Sequence, residues 1–265
     1  MTIPKPKHLG PEYADQFKDE SVADAYVNYP PYPPEVFEVL EGLIRDEPRI
    51  VLDIGCGTGE LARPLAPLVD HVDAVDQSAA MIEIGRTREG GDRPNIRWVC
   101  QSAEDFAYDT RYSLIVAGAS LHWMDWYKVL PRMAGALSNR GHLAVVGGHE
   151  IHAPWVDDLR AILRMYSTSK DRGSFNVVDQ LEHRNLFSVV GRRRTTPKEH
   201  QMGFDQYVDL LHARTGFSRQ RMDQKSAEEF DAAVRDIVSP YVRKHRLSLE
   251  MVTNITWGHP SPNMA

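Results

Sequence analysis

The stretch Ile50-Val51-Leu52-Asp53-Ile54-Gly55-Cys56-Gly57-Thr58-Gly59-Glu60 decides the fold. Its first half is an almost unbroken apolar run, as a parallel strand covered on both faces requires. Glycine then stands at every second position: 55, 57 and 59. Glycine reaches positive φ and has no Cβ, so such a backbone turns sharply and lets a ligand come close. Leu61, Leu65, Leu68 and Val69 follow at helical spacing. Strand, glycine turn and helix together read as a nucleotide-binding unit, its helix N-terminus aimed at a polar or anionic group.

Working outward, Val72 to Asp76 is a second strand that ends in an acid, 17 residues beyond Gly59. A carboxylate at the C-terminal end of a strand has two acceptor oxygens and suits the vicinal diol of a ribose. The other reading of Asp76 is a cap for the next helix, a role that Ser78 fills equally well. Ile96 to Cys100 alternates as a third strand, Ser113 to Ala117 is a short apolar fourth, and Leu143 to Val146 is a fifth. Val129, Leu130, Met133, Ala134 and Leu137 mark an amphipathic helix between the last two. This βα alternation over residues 50–147 predicts a parallel sheet with right-handed crossovers. Pro67 is expected to shorten or kink the helix after the glycine turn.

Upstream, Tyr13 to Tyr26 has a helical pattern. Tyr29-Pro30-Pro31-Tyr32-Pro33-Pro34 is an extended loop of fixed φ, and Val36 to Ile44 is a helix stopped by Pro48. Downstream of Glu150 the pattern is less regular. Leu247 to Trp257 alternates and reads as one last strand, antiparallel to the rest. With 265 residues the chain suits one elaborated α/β domain or two small ones. Its 31 Lys+Arg against 37 Asp+Glu, a net charge of −6, argue against a nucleic-acid or membrane-surface partner. Two cysteines, Cys56 and Cys100, suit a reducing compartment and show no metal-ligand spacing. Residues 1–7 carry no apolar signal core and no stretch is long enough to span a bilayer, so the expectation is a soluble cytoplasmic protein without a metal.

The run Asp53-x-Gly55-x-Gly57-x-Gly59 after a buried strand closely resembles motif I of the S-adenosylmethionine (SAM)-dependent methyltransferases with a Rossmann-like fold. It departs from the Gly-x-Gly-x-x-Gly spacing of dinucleotide enzymes, which speaks against a nicotinamide oxidoreductase. Gln101-Ser102-Ala103-Glu104-Asp105-Phe106 resembles the family's adenine-reading turn, with Ser102 where an acid usually stands. Leu121-His122-Trp123 after the fourth strand is similar to the small-molecule group of trans-aconitate and juvenile-hormone-acid methyltransferases. In that group a tyrosine near position 26 precedes an Arg-Pro-x-Tyr-Pro-like run; here Tyr29 stands where arginine is frequent. The segment Asn28-Tyr29-Pro30-Pro31-Tyr32 also has some likeness to the Asn-Pro-Pro-aromatic motif of nucleic-acid amino-methyltransferases. It carries one residue too many and lies too close to the glycine turn.

The resemblance implies an α/β, Rossmann-like, doubly wound and mostly parallel seven-stranded sheet with an antiparallel last strand. An N-terminal helical lid would occupy residues 1–48, the SAM-binding core 49–150, a mainly helical substrate cap 151–246, and the last strand and tail 247–265. It implies SAM as cofactor, bound by Tyr26, Asp53, Gly55, Cys56, Gly57, Gly59, Asp76, Gln77, Met81, Ser102, Ala103, Glu104 and Ala117. The acceptor would be a small molecule, a carboxylate or an N, C or S nucleophile, met by Tyr29, Tyr32, Trp123, Trp126, His149 and Tyr166. Trp155 and Arg214 in the cap are further candidates, with ordinary packing or solvation as the competing reading. His122 stands either as general base, as orienting donor, or as a buried histidine with a backbone partner. A monomer or weak homodimer that binds no nucleic acid or membrane completes the expectation, and a cofactor-binding protein without chemistry is the alternative.

Overall fold

The computed structural model describes residue 5 and residues 9–10, 14–168, 175–214 and 216–262. Helix α1 (Glu20–Tyr26) and helix α2 (Pro34–Leu43) flank the Tyr-Pro loop, and proline at the first position of α2 costs no hydrogen bond. Then come β1 (Ile50–Ile54), the glycine turn, α3 (Ala62–Leu65) and a 3-10 turn (Ala66–Leu68). The helix stops after one turn and tightens where Pro67 sits, as expected. Strand β2 (His71–Asp76), α4 (Ala79–Thr87), β3 (Ile96–Cys100), β4 (Tyr112–Gly118), a 3-10 turn (Leu121–Trp123), α5 (Trp126–Ala136) and β5 (Leu137–Val146) complete the first half. The second half runs β6 (Glu150–His152), α6 (Val156–Tyr166), α7 (Val177–His183), β7 (Phe187–Arg194), β8 (Lys198–Gly203), α8 (Phe204–His212), α9 (Gln224–Val238), β9 (Arg246–Val252) and β10 (Asn254–Pro260).

The main sheet has seven strands in the order β3-β2-β1-β4-β5-β10-β7. Strands β1 to β5 are parallel, and β10 runs antiparallel to both β5 and β7. Because side chains alternate across a strand, each central strand feeds two layers. Val51, Leu114 and Val116 pack with Val36, Leu40 and Leu65 of α2 and α3 on one face. Leu52, Ile54, Ile115 and Ala117 pack with Val129, Leu130 and Met133 of α5 on the other. The strand order reverses between β1 and β4, so a crevice opens at their carboxyl ends, where open α/β sheets bind ligands.

Two elements differ from the sequence reading. The run Leu247–Trp257 is not one strand. It breaks at Thr253 into β9, which joins a separate three-stranded sheet β6-β9-β8, and β10, which enters the main sheet. Nor is the region between β5 and β9 all helical cap. Val178, Leu181 and Phe187 of α7 and β7 belong to the core of the main sheet, and β7 is its edge strand. The cap proper consists of α6, α8, α9 and the small sheet around a core of its own, with Trp155, Tyr207, Phe217 and Phe230.

Candidate functional site

A cleft of about 360 Å³, counting the open space at its mouth, lies over the glycine turn. Its walls are Tyr26, Tyr29 and Tyr32 from the N-terminal segment, Asp53, Gly55, Cys56, Gly57, Thr58, Glu60 and Leu61 from β1 and the turn, and Gly118 from the end of β4; Gly59 is not among them. The turn closes because Gly55 and Cys56 both donate to the carbonyl of Val75 in β2, at 2.8 and 3.0 Å. Gly55, Gly57 and Gly59 all have positive φ, the region that L side chains resist. A Cβ on Gly55 would lie 2.4 Å from Cβ of Ser120, and one on Gly59 would lie 2.5 Å from the Trp98 ring. Gly57 is different: a Cβ there would meet nothing within 4 Å, so its bare backbone faces open space.

Three carboxylates surround this turn. Asp53 is fully buried in β1; its Oδ2 accepts from the N–H of Ala62 at 2.9 Å, while Oδ1 has no partner. Burial, with Asp76 and Glu60 nearby, pushes its carboxyl up to about 7. Asp76 closes β2 with Oδ2 on the N–H of Gly57 and Oδ1 on the N–H of Ser78, both at 2.8 Å. These bonds fix the carboxylate plane and leave a further acceptor position on each oxygen. Burial raises this carboxyl too, against the pull of its backbone donors. Ser78 caps α4 by accepting from Met81, so Asp76 is not needed as that cap. Glu60 is held by Arg63 at 2.6 Å and by the hydroxyl of Thr58 at 3.2 Å.

The tyrosines form a stacked wall. The rings of Tyr26 and Tyr29 are parallel with centroids 5.1 Å apart, and the His149 ring lies on the other side of Tyr29 at 5.2 Å. Burial raises all three hydroxyls above the ordinary tyrosine range, so they are neutral donors. His149 uses both ring nitrogens: Nε2 donates to the carbonyl of Pro30 at 2.9 Å, which fixes the tautomer, and Nδ1 accepts from the hydroxyl of Thr253 at 3.0 Å. It therefore pins the Tyr-Pro loop to the sheet and is not a free acceptor contact, and burial lowers its pKa.

The remaining expected residues divide. Cys56 is buried in the cleft wall, and burial raises its thiol far from ionisation. Ala103 is buried beside β3, its carbonyl bonded to the Tyr108 hydroxyl at 3.0 Å, and its N–H has no acceptor among the described residues. Ser102 and Glu104 are already engaged: the Ser102 hydroxyl donates to Asp105 at 2.8 Å, and Glu104 accepts from the N–H of Asp125 at 2.7 Å. Gln77 is half-buried at the end of β2, with its carbonyl 3.9 Å from Sγ of Cys100. Met81 packs with Val22 and Ala23 of α1, so it lies beneath the lid. His122 and Trp123 are half-buried on the 3-10 turn after β4, with ring centroids 4.5 Å apart and Trp123 tilted against Phe17 at 5.5 Å.

Trp126 is a correction. Its ring is buried, its indole N–H donates to the carbonyl of Leu121 at 2.8 Å, and Phe175 stacks on it; it is core and no acceptor contact. Ala117 is fully buried within β4, and the next residue, Gly118, lines the cleft. In the cap, Tyr166 is half-buried against Phe230, and the Trp155 indole is buried with its N–H on the Tyr207 hydroxyl. The sequence reading missed Thr58, Glu60, Leu61 and Gly118. The glycine turn itself was the signal for the first three, because residues between and after the glycines must share its cleft. Among the described residues no group of three His, Cys, Asp or Glu side chains is placed to hold a metal. No helix among them is long and apolar enough to cross a membrane.

Residues 51–141 match a family model described as a methyltransferase domain. A malonyl-[acyl-carrier protein] O-methyltransferase of Halalkalibacterium halodurans is 36% identical over 87 residues, 31% of this chain and 32% of that protein. A trans-aconitate 2-methyltransferase of Methylobacterium radiotolerans is 30% identical over 128 residues, 47% of this chain and 48% of that one. The matches thus span about a third to a half of these relatives' own length. A solved structure from Anaeromyxobacter dehalogenans, provisionally assigned as a type II methyltransferase, shares the fold with a TM-score of 0.61. It is 21% identical and covers 88% of this chain and 99% of that one. Sheet order, glycine turn and matched segment agree: residues 51–141 of this chain are similar to a methyltransferase domain, set in a Rossmann-like sheet.

Proposed function

We propose that the chain transfers a methyl group from SAM to an oxygen of a small organic carboxylate. The observation that carries the cofactor half is the unpaired Oδ1 of Asp53 at the floor of the cleft. A carboxyl whose pKa is raised to about 7 chiefly by burial, with two acids beside it, calls for a cation. SAM supplies two, an ammonium on its amino-acid tail and the sulfonium whose methyl an oxygen nucleophile takes while the bond pair stays on sulfur.

The residues present fit that group. Asp53 receives the ammonium and Gly57 offers bare backbone to the tail. Asp76 keeps an acceptor position on each oxygen for the two ribose hydroxyls, and the Ala103 N–H is a donor for a ring nitrogen of adenine. The neutral faces of Tyr26, Tyr29 and Tyr32 cover the sulfonium end, attract positive charge and exclude water. The work of the chain is then positioning, with two reactants held at near-attack distance. An ionised carboxylate acceptor needs no base, which leaves His122 to orient the acceptor. The malonyl-[acyl-carrier protein] O-methyltransferase and trans-aconitate 2-methyltransferase relatives, both named for carboxylic acids, support this acceptor class. The test is calorimetry with SAM and its demethylated product, followed by transfer of labelled methyl to a set of carboxylic acids. Absence of nucleoside binding at high micromolar concentration defeats the reading.

A further inference from the structure

The tyrosine wall over the cleft stands on a loop that is poorly equipped to hold itself. Prolines at 30, 31, 33 and 34 carry no N–H, so the stretch between α1 and α2 has few main-chain donors. Yet Tyr32 is buried, and Tyr26, Tyr29 and Tyr32 line the cleft. A ligand at the glycine turn shares the cleft with these rings, so where they stand decides what room it has.

His149 grips that loop at several points. Its Nε2 donates to the carbonyl of Pro30 at 2.9 Å, and its main-chain N–H donates to the Tyr29 hydroxyl at 3.3 Å. Its ring centroid lies 5.2 Å from that of Tyr29 and 5.1 Å from that of Tyr32. The residue before it, Gly148, gives the room for this approach: a Cβ there would lie 3.0 Å from the Tyr29 hydroxyl.

The other side of His149 is fixed to the framework. Nδ1 accepts from the hydroxyl of Thr253 at 3.0 Å, and the Thr253 and Thr195 chains bond each other twice, both at 2.9 Å. Gly147 donates to the carbonyl of Asn254 at 2.8 Å. Thr253 is fully buried at the corner where β9 gives way to β10. The ring thus spans from the tyrosine wall to the corner shared by both sheets.

We propose that His149 is a positioning residue for methyl transfer: it sets where Tyr29 and Tyr32 stand over the cleft, and loss of its hydrogen bonds lets that wall move off the glycine turn. It acts through the two tyrosines and not on the reacting atoms. This rests on the methyltransferase reading above and adds a residue to it.

The latch needs a neutral ring. Nδ1 has to be bare to accept from Thr253 while Nε2 donates to Pro30. A second proton would turn Nδ1 into a donor facing a hydroxyl that already donates to it. The surroundings oppose that charge. The N-terminal segment presents Tyr29 and Tyr32, both neutral, and β8 presents His200, whose charged form repels it. The adjacent Glu150 is held by Arg194 and Asn254. Among the described residues the ring nitrogens meet a carbonyl and a hydroxyl, and no carboxylate. Burial above all, with His200, holds the pKa below the ordinary 6.5, against the pull of the Pro30 carbonyl. A ring released into water takes its proton near 6.5, so the closed wall loses ground as pH falls below that value.

The experiment uses the full chain as wild type, His149→Gln and His149→Phe, with thermal unfolding as the check of folding. Gln keeps a donor at the reach of Nε2 and takes no charge; Phe keeps the stacked ring and loses both ring hydrogen bonds. S-adenosylhomocysteine, the demethylated product, is titrated by calorimetry at pH 8 and pH 5.5. At pH 8, His149→Phe is expected to bind about 10-fold more weakly than wild type, and His149→Gln within about threefold of it. Between pH 8 and pH 5.5, wild type is expected to lose about fivefold more affinity than His149→Gln. The cleft carboxyls titrate in both, but wild type alone can charge this ring. Equal affinity of wild type and His149→Phe at pH 8, or the same pH dependence in wild type and His149→Gln, overturns the role. Where His149→Phe does not fold, the pH dependence of His149→Gln decides. Failure of the nucleoside to bind wild type instead overturns the methyltransferase reading. Amide exchange over residues 26–36 of the ligand-free proteins then decides on His149: faster in His149→Phe than in wild type if it holds the wall, equal if it does not.

Discussion

The glycine turn between β1 and α3 buries an acid with one oxygen unpartnered among the described residues, whereas the turn after α8 leaves Arg214 at the surface, without an ion pair among the described residues. Asp53 is held from below by main chain alone, through the N–H of Ala62, in a turn whose shape comes from glycine φ and from β2. Arg214 is held by a turn whose shape comes from side chains: His212, Asp231, Gln16, Asp19 and Ser218. Main-chain register tolerates many side-chain identities around it, but a side-chain network fails when one member changes.

The largest effect is expected for Gly55→Val. Positive φ and a Cβ only 2.4 Å from Ser120 give it two independent costs. Denaturant unfolding is expected to show a loss of about 3 kcal/mol or more. Asp76→Ala comes next. It frees the N–H groups of Gly57 and Ser78 and removes the diol acceptor, and nucleoside affinity is expected to fall about 100-fold by calorimetry.

Asp53→Asn separates stability from binding. The folded carboxyl stays protonated to about pH 7 while the unfolded one ionises near 3.8, so the ligand-free protein loses stability as pH rises through that window. The asparagine variant lacks this loss: relative to wild type it should gain about 4 kcal/mol of stability between pH 4 and pH 8. It should also bind the nucleoside about tenfold more weakly. In wild type, binding of the cationic ligand draws Asp53 into its charged form. Titrations at pH 6.5 in buffers of different ionisation enthalpy are therefore expected to register proton release, which vanishes in the variant. The smallest effect is expected for Arg221→Ala, which breaks a two-point contact with Asp19 at 2.6 and 3.0 Å. Arg221 is exposed and Asp19 half-buried at the rim of the cap, so the cost is about 1 kcal/mol and shrinks in high salt.

The parts of this molecule that were legible in its sequence are those where one physical requirement forces one residue type. A turn that needs positive φ at three alternate positions asks for Gly55, Gly57 and Gly59, and an acid at the end of β2 announces itself as Asp76. The division of Leu247–Trp257 into two strands was not legible. Leu247, Leu249, Met251 and Ile255 are all buried, so period two runs unbroken through the change of sheet. What makes the corner is the pair Thr195 and Thr253, each bonded to the other's chain. Trp126 and Ala117 stay out of the cleft lining for another reason. Ala117 points away from its neighbour Gly118 because successive residues on a strand face opposite ways, and the Trp126 ring is turned into the core by its indole bond to Leu121.

The switch at Thr253 has a mechanical consequence. The same uninterrupted stretch of backbone is the middle strand of the cap's sheet and then, one residue later, an interior strand of the main one. No linker separates the two, so the halves cannot swing apart like leaves on a hinge. Whatever tilt the upper half adopts around a captured molecule must travel down covalent bonds into the strand beside β5, and admission of that molecule falls to the tyrosine-lined N-terminal segment.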